Sequence, residues 1–105
     1  MKVKTIDINA KQWFDKANGN SYFSAQATIN YGTKTAKTFY LPYQYGYGDH
    51  YRDMAFDKLV ELKIIKDVEE RERIWRYCDR KKIILRTNKE TGCRKRDMID
   101  FGTNN

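Results

Sequence analysis

Polar and apolar residues alternate most regularly between Ser21 and Tyr31. There Phe23, Ala25, Ala27 and Ile29 share one side, and Tyr22, Ser24, Gln26, Thr28 and Asn30 share the other. A period of two marks a strand with one buried face. Gly32-Thr33 supplies a turn, and Thr38 to Leu41 returns as a second strand with Phe39 and Leu41 inward. Pro42, which has no N–H to give to a sheet, is expected to close that strand. Val3 to Ile8 alternates more weakly and reads as a short strand. Asn9 and Gln12 have the residue types and spacing of a capping box. A short helix is therefore expected over Gln12 to Lys16, stopped by Asn18-Gly19-Asn20.

After Pro42 the spacing becomes helical. Asp49 is a good N-cap residue, and His50 to about Ile65 places Tyr51, Ala55, Leu59 and Leu62 on one face. Asp67, with Glu70 as its capping-box partner, predicts a second helix through Asp79. Its apolar positions are Val68, Trp75 and Cys78, with Ile74 and Tyr77 on the flank. Lys82 to Thr87 reads as a strand and Asn88 to Gly92 as a turn. Cys93 to Phe101 fits either a strand or a short helix, and Gly102 to Asn105 a frayed tail. Together the elements predict one α+β domain over residues 1–105. It is a small antiparallel sheet built on a central hairpin, packed against two to three helices. Phe23, Ile29, Phe39, Leu41, Leu59 and Leu62 are its expected core.

Composition narrows the function classes. In 105 residues 40% are hydrophobic and 14% aromatic, which is enough to fold, since disordered chains lack aromatics. No apolar run nears the roughly 18 residues that would suggest a membrane span, and no apolar stretch follows Met1-Lys2-Val3-Lys4, so no signal peptide is expected. Cys78 and Cys93 form no disulfide framework and fit a reducing compartment. Two cysteines and the single His50 do not make a zinc site, so neither metal nor cofactor is expected. Asp49 beside His50 has the residue types of an acid/base pair, but aspartate at a helix start is more simply a cap. No hydrolase, metalloprotease or phosphate-loop motif is present. The chain reads as a binding protein, not an enzyme.

Charge is the most informative feature. Arg71 to Arg96 holds eleven Lys or Arg against three acids, whereas the rest of the chain holds ten against eleven. The whole surplus of the +7 net charge thus lies in the last third. Few acids lie inside the run to neutralise it, and arginine takes phosphate through paired hydrogen bonds. A second feature is Tyr43-Gln44-Tyr45-Gly46-Tyr47-Gly48, where alternate tyrosines share one side of an extended segment. Exposed rings of this kind stack on bases or anchor interfaces, unless they only cover the hairpin edge. A phosphate-bearing ligand is therefore expected, with Arg86, Arg94 and Arg96 carrying charge and Tyr45 or Tyr47 the base.

The stretches NGNSYFSAQATINYG, YLPYQYGYGDHY and CRKRDMIDFG together resemble small proteins encoded by phages and prophages. Such proteins commonly disarm host immunity by binding. Within that class the chain is similar to the anti-Thoeris nucleotide-sponge family, whose members are α+β, oligomeric, and sequester cyclic nucleotide-derived signals at subunit interfaces. The resemblance implies a counter-defence protein in the host cytoplasm that captures a nucleotide-derived small molecule. The alternatives are a nucleic-acid-binding accessory protein and an inhibitor docking on a host defence protein, such as a CRISPR effector. A homo-oligomer is also expected, because a small domain rich in large aromatics gains by covering them.

Overall fold

In the computed structural model, which describes residues 2–103, the alternation begun at Ile6 does not stop at Asn9. Strand β1 runs Thr5–Asp15, with Ile6, Ile8 and Ala10 buried and Asn9 exposed between them. No helix forms over Gln12 to Lys16. Asn18-Gly19, expected to stop that helix, instead turns β1 into β2 (Asn20–Ile29). Gly19 takes φ +68°, and Asp15 Oδ1 accepts the N–H of Ala17 at 3.0 Å. The strands pair antiparallel from Asp15 opposite Asn20 to Ile6 opposite Ile29.

The Ser21–Tyr31 alternation holds, with Phe23, Ala25, Ala27 and Ile29 all buried. Strand β3 (Lys37–Tyr45) runs straight through Pro42. Phe23 pairs with Gln44 and Ala25 with Leu41, so β3 carries one extra residue here. This bulge lies on an edge strand, the setting in which a missing N–H leaves no partner stranded.

Helix α1 spans His50–Glu61 and buries Tyr51, Ala55, Phe56 and Leu59. It ends earlier than expected because Lys63 enters the left-handed region at φ +60°, and the N–H groups of Ile64 and Ile65 fold back onto the Leu59 carbonyl. Leu62, expected in the core, is 42% exposed in consequence, and Phe39 is half-buried. The second helix does not start at Asp67. Asp67 and Arg71 both have positive φ, which breaks any helix there, and α2 spans Ile74–Lys81. With Val68 outside the helix, Ile74, Tyr77 and Cys78 form its buried face and Trp75 is 59% exposed.

Strand β4 (Ile84–Glu90) continues through the expected turn at Asn88 and pairs with β1 in parallel, Thr5 opposite Ile84 through Lys11 opposite Glu90. The sheet order is β3-β2-β1-β4, so the sheet is mixed, not purely antiparallel. The central pair is β1 and β2. Ambiguity over Cys93 to Phe101 resolves to a helix, α3 (Lys95–Phe101). The fold is α+β.

The two faces differ. Ile6, Ile8, Ala25, Ala27 and Ile29 join Leu59, Phe56, Ile74 and Tyr77 in one apolar cluster beneath α1 and α2. α3 lies on the opposite face, where Gln26 Nε2 donates to the Phe101 carbonyl at 3.0 Å and Met98 is fully buried. Gly102 belongs to this packing and not to a tail: a Cβ there would stand 2.5 Å from the Leu41 carbonyl oxygen. Asn104 and Asn105, the rest of the expected tail, lie outside the described residues. No helix among the described residues is long and apolar enough to cross a membrane.

Candidate functional site

Continuing β1 as a strand has one decisive effect, since it places Trp13 directly opposite Tyr22. Both point to the α3 face, one residue out of phase with the buried Ala10 and Phe23. Their rings stack with centroids 5.7 Å apart. The bulge at Pro42 then turns Tyr43 onto the other side of Tyr22, stacked at 5.1 Å and 14°. Tyr45 meets Tyr22 edge-on at 5.8 Å. Three rings from three strands thus form a row, with a fourth at its side. Trp13, Tyr22 and Tyr43 are half-buried and Tyr45 is 57% exposed. Burial, with Tyr22 and Asp15 nearby, pushes the Tyr43 hydroxyl up from its ordinary pKa. The ring stays neutral.

The row is open at Trp13 because β4 stops early. Its last residue, Glu90, pairs with Lys11, two positions short of Trp13. The chain leaves the sheet there, held by one bond from the Cys93 N–H to the Gln12 carbonyl at 3.0 Å. This leaves a groove of about 370 Å³ lined by Trp13, Phe14, Lys16, Thr91, Gly92 and Cys93. At the other end Lys95, in the first turn of α3, holds its ammonium 5.6 Å from the Tyr43 ring centre. Arg94 and Arg96 flank it and are exposed.

The five residues singled out in the sequence do not converge as a set. Tyr45, Arg94 and Arg96 lie at the row's end of the sheet. Tyr47, 70% exposed, joins no ring of the row and lines, with Tyr45, a groove of about 500 Å³ that also holds Asp49, His50, Asp53 and Arg73. Arg86 sits opposite Asp7, five residues down β1 from Gln12, roughly 16 Å away at strand rise. It makes a two-pronged pair with Asp7 at 2.6 and 2.9 Å, which also raises its pKa. A guanidinium so engaged is poorly placed to receive a phosphate. Arg94 is drawn partly to Asp97 at 3.3 Å, whereas Arg96 has no ion-pair partner among the described residues.

The charge surplus is accordingly dispersed. Arg80 is committed to Glu72 through two bonds of 2.8 Å, Arg73 lies 3.8 Å from Asp53, and Lys89 donates to the Gly48 carbonyl. The tyrosine loop offers no anion cradle either. Gly46 is required by close packing, since a Cβ there would meet Phe23 and His50 at 2.6 and 2.7 Å. Asp49 stands at the N-cap position without a side-chain cap bond.

The sequence pattern alone does not mark Trp13 and Tyr22 as site residues, because capping-box chemistry at Asn9 and Gln12 puts Trp13 in a helix and the β2 alternation puts Tyr22 only on an outward face. The signal was present: carrying the β1 alternation past Asn9 brings the two rings together. No family model, curated protein or solved structure matches the chain.

Proposed function

We propose that the protein works by binding, without chemistry of its own, and that it holds a nucleotide-type ligand on the α3 face. The base continues the Trp13–Tyr22–Tyr43 row in the groove past the end of β4. Lys16, Arg94, Lys95 and Arg96 surround that end of the sheet with positive charge and meet the phosphate. The observation that carries this reading is the three-ring row, open at Trp13 beside Lys16, with Lys95 over its Tyr43 end and Arg96 without an ion-pair partner among the described residues. Stacking is tolerant of base identity and adds roughly 1–3 kcal/mol per base. The likeness to small phage proteins gives the binding a setting, stoichiometric capture of a nucleotide-derived immune signal in the host cytoplasm. Exposed Phe14, Tyr31 and Ile84 provide surface for the homo-oligomer that belongs to this proposal.

The test is calorimetric titration of cyclic and linear nucleotides into the wild type, Trp13→Ala and an Arg94→Ala/Arg96→Ala double variant. Trp13→Ala should weaken binding by about one power of ten or more. The double variant should weaken it too, and should flatten its salt dependence. Circular dichroism confirms folding, and light scattering on the same samples reads the assembly state. A folded Trp13→Ala that binds as tightly as wild type rules out the row as the site. A steep linear fall of log affinity with log salt for single strands, absent for mononucleotides, moves the reading to nucleic acid.

One observation favours docking on a protein: Tyr45 and Tyr47 are both highly exposed beside the 500 Å³ groove at the start of α1. Aromatic residues at a groove are frequent interface anchors. If no nucleotide binds, Tyr47→Ala should abolish capture of the host target.

A further inference from the structure

At the opposite end of the sheet lies a second cleft, of about 490 Å³, built from Lys2-Val3, the α1–α2 connection and α2. Its charged lining is Lys2, Lys63, Lys66 and Lys81 against one acid, Asp67. Asp67 is itself 3.7 Å from Lys81. Among the described residues, no carboxylate lies within ion-pair distance of Lys2, Lys63 or Lys66. These exposed lysines give the cleft a positive potential that attracts an anion most strongly at low salt.

The backbone that carries these lysines is pinned from within. The Lys66 carbonyl accepts the hydroxyl of buried Tyr77 at 2.8 Å. The Asp67 carbonyl accepts Arg80 Nη2 at 2.7 Å, and Arg80 is in turn fixed by buried Glu72. The Lys2 carbonyl accepts the amide of buried Asn30 at 2.9 Å. Lys63 and Asp67 both hold left-handed φ without being glycine, at +60° and +62°. Lys63 takes this conformation as α1 ends, and together the two fix the course of the connection.

From this cleft we infer a polyphosphate-binding site, independent of the aromatic row. Three of the four lysines have no acid partner among the described residues and come from separate places on the cleft rim, so a chain of phosphates can meet several of them at once. Lysine suits that ligand, since each ammonium is a compact charge with three rotatable donors and follows oxygens along a flexible chain. The floor of buried Ile65 and Tyr77 adds no further acid. About eight residues of β1 separate Thr5 from Trp13, roughly 26 Å, so the two sites do not share a ligand of nucleotide size.

The shared chemistry is the triphosphate chain, free or as the tail of a nucleotide. Tripolyphosphate and ATP are titrated separately into wild type, Trp13→Ala, and a Lys63→Gln/Lys66→Gln double variant that keeps the side-chain stems. Amide chemical shifts report location. Tripolyphosphate should bind wild type and Trp13→Ala equally and move the amides of Lys63, Lys66 and Lys81. The double variant, folded by circular dichroism, should lose about one to two powers of ten in affinity. ATP should bind this cleft about as tightly as tripolyphosphate. No binding of tripolyphosphate, or equal binding by the folded double variant, overturns the assignment. So does triphosphate binding that disappears in Trp13→Ala, which would move the phosphates to the aromatic row.

Discussion

On one face of the sheet Ile6, Ile8, Ala25, Ala27 and Ile29 lie beneath two helices with almost no surface left to water. On the other, a seven-residue helix covers Ser24 and Gln26 and leaves a row of rings half-exposed at its edge. The same strands build both faces, because successive side chains point to opposite sides. Stability is concentrated on the first face. The second is thinly covered, so its aromatic and cationic groups can meet a ligand without dismantling the core. Separating the two faces energetically is the way to test the comparison.

The largest effect belongs to the thick side. Leu59 has no exposed surface, and Leu59→Ala should cost about 2–5 kcal/mol in denaturant unfolding. A loss below about 0.5 kcal/mol would show that α1 does not anchor the core. On the thin side, Gly102→Ala forces a methyl to within 2.5 Å of the Leu41 carbonyl oxygen and 2.8 Å of Ser24 Cβ. Overpacking of this kind costs roughly 1–3 kcal/mol. It must also displace α3, so ligand affinity should fall along with stability. Intact affinity in a destabilised Gly102→Ala would separate α3 from the site.

A smaller effect lies in pH. Arg80 holds the buried Glu72 carboxyl down to about 2 from its ordinary 4.5, chiefly through their hydrogen bonds. A carboxyl whose pKa falls on folding stabilises the fold above its unfolded pKa and loses that contribution as pH drops towards its folded one. Stability should therefore decline from about pH 4.5 towards 2, and Glu72→Gln should flatten that slope. An unchanged slope would mean that other carboxylates dominate acid unfolding.

What was legible in the sequence is the part fixed by local pattern. The β2 alternation, the buried stripe Tyr51, Ala55 and Leu59, and the convergence of Tyr43 and Tyr45 all follow from neighbours along the chain. The losses are places where a distant partner decides. Asn9 and Gln12 have capping-box chemistry, yet pairing with β2 outweighs it, and only that pairing makes Trp13 meet Tyr22. Pro42 looks like a terminator until β3 is known to be an edge. The charge run is continuous in sequence, but Asp7 and Asp53 arrive from other elements to engage Arg86 and Arg73. Trp75 faces solvent because the chain before Ile74 is not helical, so Val68 sets no stripe and Ile74, Tyr77 and Cys78 face the core.

The central claim, that a ligand ring stacks on Trp13, can be read directly from indole fluorescence. Trp75 is the other tryptophan, 59% exposed on α2, and Trp75→Phe leaves Trp13 as the sole reporter. Nucleotides bound in calorimetry are titrated into this variant. Stacking brings the base against the indole, so the account predicts saturable quenching whose midpoint matches the calorimetric one. Calorimetric binding with unchanged Trp13 emission would contradict it, and would place the ligand away from the aromatic row.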